Sequence, residues 1–156
     1  MRLLVSDANI LIDMEAGGVP DLLYREEIEP GSPGLEAMGL KVMEVHGEHV
    51  RYAEQLNARH NPALPGGSGR KPSHHDYLAL ALARQESCAL LTGDSLLRTV
   101  ARKEHVEVMG SIGLLCAMVD HRLLTVDKAF AALGRMKQGR RWLPWSEAER
   151  QLNARR

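Results

Sequence analysis

Short apolar runs alternate with helical patterns along this chain. Arg2–Ser6 and Cys88–Thr92 are continuous and apolar, as buried strands are, and Leu40–Val45 and Val106–Met109 also have strand character. Between the runs lie helical periods. Ile10, Leu11 and Met14 begin an apolar face that Gly17-Gly18 stops, and Val19-Pro20-Asp21 leads into a helix over Leu22–Ile28. Leu35–Met38 is a short helix. Val50, Ala53, Leu56 and Asn57 share a face of a helix over Glu48–Arg59. Asn61–Pro72, with three Gly and three Pro, is loop. Ser73 caps a helix through Tyr77–Arg84, with Asp76 three residues on as an acidic capping-box partner. Further helices are expected over Leu96–Lys103, Ile112–Asp120 and Thr125–Met136, the last capped by Thr125 with Ala129, Phe130, Leu133 and Met136 on one face. Trp142-Leu-Pro-Trp breaks the pattern, and Ser146 is the expected cap of a last helix, Glu147–Leu152.

Strands alternating with helices call for an α/β fold, a three-layer α/β/α arrangement around a central parallel sheet. The pattern assigns residues 1–120 to the core domain and 121–156 to a C-terminal helical extension packed on it. One spacing strains this layout. Only the five residues Met14–Gly18 separate Asp13 from Val19, whereas a crossover between parallel strands takes a dozen or more. Either the first helix is followed by no second strand, or the chain is short of a segment near Gly17-Gly18. Val19-Pro20, which reads as the end of a strand without a beginning, favours the second.

Composition narrows the class. The 156 residues suffice for one domain, and a single Phe leaves the core to Leu, Val, Ile, Ala and Met. Net charge is zero, but residues 1–96 carry 8 basic and 14 acidic side chains and residues 97–156 carry 12 and 6. That asymmetry suits a basic wall beside an acidic, cation-binding site, as well as charge simply distributed by solvent. Cys88 and Cys116 are too few for a disulfide framework. No run approaches the length of a membrane span or a signal-peptide core, so the expected location is cytoplasmic.

The candidate chemistry is acidic. In an open α/β sheet the ligand site lies outside the carboxyl ends of the strands. Asp7 and Asp94 each follow an apolar strand, Asp76 opens a helix whose start faces the same edge, and Glu26 or Glu27 comes from the helix after Val19-Pro20. Converging carboxylates without Lys or Arg between them repel strongly, and a hard divalent cation resolves this. Mg²⁺ or Mn²⁺ held by oxygen ligands can activate water and steady the leaving oxygen of a phosphodiester. Each acid also has a local role available: Asp7 and Asp94 as helix caps, Asp76 as a first-turn acid, Glu26 and Glu27 as surface charge.

Other constellations carry less. His46 with His49, and His74 with His75, invite a zinc site, but two Cys and no HExxH leave it thin. Met109 stands where a nucleophile elbow needs Gly, and Gly66–Lys71 lacks the Walker spacing. Arg135, Lys137, Arg140 and Arg141 with Trp142 and Trp145 fit phosphate contact plus base stacking, or a basic helix end whose two Trp pack the tail down. Packing is the expectation.

LLVSDANILID, SHHDYLALALA and LLTGDSLLRTVA resemble, in order, the signatures of the PIN domain, the nuclease fold used by VapC-type toxins, and VPDLLYREE is similar to the segment bearing that family's further acid. The resemblance covers nearly all of residues 1–120. It implies metal-binding acids at Asp7, Asp76 and Asp94, with Glu26 as the fourth catalytic acid and Glu27 its competitor. Asn9 and Thr92 would orient those carboxylates, and Ser73 would cap and touch the site. The implied activity is a Mg²⁺- or Mn²⁺-dependent endoribonuclease acting on single-stranded or structured RNA, and the same likeness implies the toxin of a toxin–antitoxin pair. A homodimer and an antitoxin partner follow from the same likeness. The alternatives are a PIN-fold module binding antitoxin or RNA without cleavage and, further off, a flap-type nuclease acting on DNA.

Overall fold

Three parallel strands lie in the order β1 (Leu4–Ser6), β2 (Ala89–Leu91), β3 (Val108–Met109), so β2 is flanked on both sides. The computed structural model describes residues 4–6, 17–18, 43–60 and 71–156. Leu4 pairs with Ala89, Val5 with Leu90 and Ser6 with Leu91, while Leu90 and Leu91 pair with Val108 and Met109. The whole of β2 is buried, which explains its unbroken apolar sequence.

The described residues divide into two units. One comprises Met1–Ala8 with Met43–Gly110, the other Asn9–Val42 with Ser111–Arg156. In the first, helix α1 (Gly47–His60) packs on α2 (His74–Gln85), and α2 lies against β1 and β2. Ala53 and Leu56 of α1 meet Tyr77, Leu80 and Ala81 of α2 in a core that also takes Leu97, Val100 and Ala101 from α3 (Ser95–Lys103). In the second unit, α4 (Ser111–Asp120), α5 (Val126–Gln138) and α6 (Trp145–Asn153) pack on one another through Leu115, Leu133, Met136, Ala148 and Leu152.

Helix starts follow local sequence. Ser73 and Asp76 form the capping box, and Thr125 caps α5 by accepting from Lys128 N at 3.3 Å. Helix ends share one device. Ser87, His105, Arg122 and Arg140 all have positive φ, between 50° and 58°, each just beyond a helix. After each, the next N–H reaches back five residues, as from Cys88 to Ala83 O and from Leu123 to Met118 O, both within 2.9 Å. This is the Schellman closure, built four times on residues other than the Gly that suits it.

Two expectations are corrected. The described part of the strand expected over Leu40–Val45 is irregular. Its backbone groups are satisfied by a side chain: Gln85 Nε2 donates to Glu44 O at 3.0 Å, and His46 N donates to Gln85 Oε1 at 2.8 Å. The last helix begins at Trp145 behind Pro144, so Ser146 does not cap it. Trp145 packs on the core and is drawn into the first turn, closed by Ala148 N to Pro144 O at 3.0 Å. The elements expected over residues 7–16 and 19–39, and most of the 61–72 loop, lie outside the described residues, as does the chain around the short spacing, apart from a turn at Gly17–Gly18.

Candidate acidic site

Asp94 follows β2 because the strand stops at a polar hinge. Thr92 is fully buried; its N–H donates to Met109 O at 3.0 Å, extending the ladder by one residue. Its Oγ1 accepts from Asp94 N at 3.1 Å and so sets the turn. Asp94 then caps α3, with Oδ1 accepting from Leu96 N at 2.7 Å and Leu97 N at 2.9 Å. The half-buried carboxylate is thereby fixed at a helix N-terminus.

Asp76 is held by the same kind of bond. Ser73 N donates to Asp76 Oδ2 at 2.6 Å, and Asp76 N donates to Ser73 Oγ at 3.2 Å. Because α2 leads directly into β2, its N-terminus faces the edge where β2 ends. Tyr77, next to Asp76 on α2, is fully buried. Burial pushes its phenol above the usual range, and the negative charges of both Asp76 and Asp94 push it further.

One residue at this edge escaped the sequence reading. Arg98, one turn after Asp94 on α3, is half-buried, and its Nε is enclosed without a hydrogen-bond partner among the described residues. Burial, with a contribution from Arg102, lowers its guanidinium below the ordinary value. Its Nη1 lies 3.3 Å from the point a Cβ on Gly110 would occupy, with Thr92 O 3.6 Å from that point. The only signal in LLTGDSLLRTVA was a basic residue set between the core positions Leu97, Val100 and Ala101.

Asp7, Asn9, Glu26 and Glu27 lie outside the described residues. Among the described residues no three His, Cys, Asp or Glu side chains form a metal-binding group. His74 and His75 are exposed and meet edge to face, centroids 6.3 Å apart. The donor chemistry of Asp76 and Asp94, carboxylate oxygens with backbone-fixed orientation, suits a hard divalent cation and supplies part of a ligand set. A groove of about 650 Å³ at the opposite edge, lined by Arg84, Ser87, Cys88, Lys103 and Glu107 among others, borders none of the candidate acids.

No helix among the described residues is long and apolar enough to cross a membrane. A family model described as a PIN domain matches residues 72–154, more than half of the chain, and spans Ser73, Asp76, Thr92 and Asp94. No curated protein and no solved structure matches. PIN domains are in general nucleases, and they typically use divalent metal ions. With acids closing the starts of α2 and α3 and this match across both, the chain belongs to the PIN domain family.

Proposed function

We propose that this protein is a metal-dependent endoribonuclease. The observation that carries the reading is that the PIN-domain match spans both Asp76 and Asp94, each held by hydrogen bonds at a helix start. Asp76 and Asp94, joined by Asp7 and Glu26, would hold a Mg²⁺ or Mn²⁺ ion, which when bound lowers the pKa of water and offsets charge on the leaving oxygen. The chain's own contribution is orientation. The α3 cap keeps the Asp94 carboxylate in one rotamer, Thr92 fixes the backbone beneath it, and Ser73 does the same for Asp76. Asn9 would support Asp7. Arg98, half-buried one turn after Asp94, would offer its guanidinium to a phosphate oxygen.

The test is cleavage of a pool of single-stranded RNA with Mn²⁺ or with EDTA, beside Asp94→Asn. Asn is as good a helix cap as Asp, so the variant keeps its fold while losing a ligand charge. Metal-dependent cleavage, absent from Asp94→Asn, is expected; undiminished cleavage by the variant would remove Asp94 from the chemistry. A toxin role and a homodimer go with this reading and require an antitoxin and a second copy to be found with the chain. The second reading, a module that binds RNA or antitoxin without cutting, rests on the five-residue spacing between Asp13 and Val19. It gains if folded, partner-free protein cuts nothing.

A further inference from the structure

We propose that the end of α5 and the turn after it form a contact surface for unpaired nucleotides of single-stranded RNA, with Trp142 as the stacking ring. The inference rests on the ribonuclease reading for the choice of RNA, and on its own observations for the rest. Trp142 is 98% exposed, whereas Trp145, three residues on, packs on the core. The expectation that both rings pin the tail is thus corrected for Trp142. Its exposure is not that of a loose end. Arg141 N donates to Met136 O at 3.1 Å on one side, and on the other Leu143 packs on the core ahead of the Pro144 turn. The chain holds an indole in water from two fixed flanks, an arrangement that leaves both ring faces open.

The surroundings select the occupant. From Lys128 to Ser146 the chain carries Lys128, Arg135, Lys137, Arg140 and Arg141 and no acidic residue. Arg135 is engaged, its Nε donating to Gly17 O at 2.6 Å. Lys137 and Arg140 are exposed, and no acidic side chain among the described residues pairs with them. A protein partner anchored by a Trp needs apolar neighbours around it, and here the exposed chain neighbours are Lys137, Gln138, Gly139 and Arg140 before it and Pro144 and Ser146 after it, with Pro144 the one apolar side chain among them. Cations beside an open aromatic face complement a polyanion that also presents flat rings. In a duplex those rings are stacked away; in a single strand they are free to lie on the indole.

The experiment uses the full chain carrying Asp94→Asn in EDTA, so that binding is read without cleavage. Trp145→Phe leaves Trp142 as the sole indole reporter, and single-stranded oligouridylate is the titrant. Quenching of Trp142 emission is expected, with Trp142→Ala weakening binding roughly tenfold and Trp142→Phe restoring most of it. Lys137→Ala with Arg140→Ala should reduce the slope of log affinity against log salt by about 1.4, the value for two phosphate contacts on a single strand. Unquenched emission, or undiminished affinity in Trp142→Ala, overturns the proposal, as does a duplex of the same length binding equally well. Trp142→Ala converting a dimer to a monomer while RNA affinity holds would overturn it in favour of an interface between copies. Binding that depends on Trp142 in a protein that never cleaves would keep this surface and sink the nuclease reading. Cleavage lost in Asp94→Asn, together with binding indifferent to Trp142, would do the reverse.

Discussion

Replacing Asp94 separates two roles that one carboxylate would share, since Oδ1 closes the first turn of α3 and the charge would serve the proposed metal. Asp94→Ala should cost about 1 kcal/mol of stability through the lost cap, whereas Asp94→Asn should cost little, and both should lose cleavage. Thermal melts set beside RNA cleavage would check this, and a full-strength melt with lost activity in Asp94→Asn is the decisive combination. Glu104 is the other residue whose charge matters. Burial alone would raise its pKa, but hydrogen bonds from Tyr52 at 2.8 Å and His60 at 3.5 Å, with Arg59 at 2.8 Å, bring it below the usual carboxylate range. Its folded value being depressed, the stabilisation is present above the unfolded value of about 4.3 and is lost as pH falls through the folded one. Glu104→Gln should therefore flatten the fall in melting temperature as pH drops below about 4.3. A variant whose acid sensitivity equals the parent's would show that other carboxylates set it.

At the scale of elements, the sequence disclosed starts better than stops. Ser73 with Asp76, and Thr125, are local patterns in which the bonding partner lies within three residues, so spacing alone identifies them. Buried β2 was legible because its run is apolar throughout. The irregular Met43–His46 was not, because its hydrogen bonds come from Gln85, some forty residues away. The enclosed Nε of Arg98 likewise depends on where Gly110 packs, which no local pattern encodes. Of the site, the two capped acids were readable as helix starts; the roles of Asp7 and Glu26 rest on residues outside the described ones. The helix ends hid because none of the four left-handed positions is Gly. That choice carries strain, so Arg122→Gly, at an exposed turn, should stabilise by about 0.5–1 kcal/mol. The melting temperature should rise by roughly 1–4 °C. A drop would mean that Arg122 makes a contribution outweighing its backbone cost.

Across the whole molecule, the chain passes between its two units three times, so each unit is assembled from separated stretches. Glu104 illustrates what holds the first: placed at the C-cap of α3, where the helix dipole disfavours a negative charge, it is drawn into contact with Tyr52, Arg59 and His60 of α1 and lies 3.8 Å from Arg84 of α2. The second unit has a longer reach, since the Arg135 guanidinium holds the carbonyl of Gly17, 118 positions earlier. Order of synthesis gives that bond a meaning. Residue 17 leaves the ribosome long before residue 135 is made, so the turn at Gly17–Gly18 lacks this bond while most of the protein is translated. In nascent chains arrested at residue 120, a broad-specificity protease should cut at Gly17–Gly18, and in released full-length protein the same bond should resist. Equal cutting in both would show that the turn is secured without its late partner. If the difference holds, protection of this early turn marks the moment translation has passed α5.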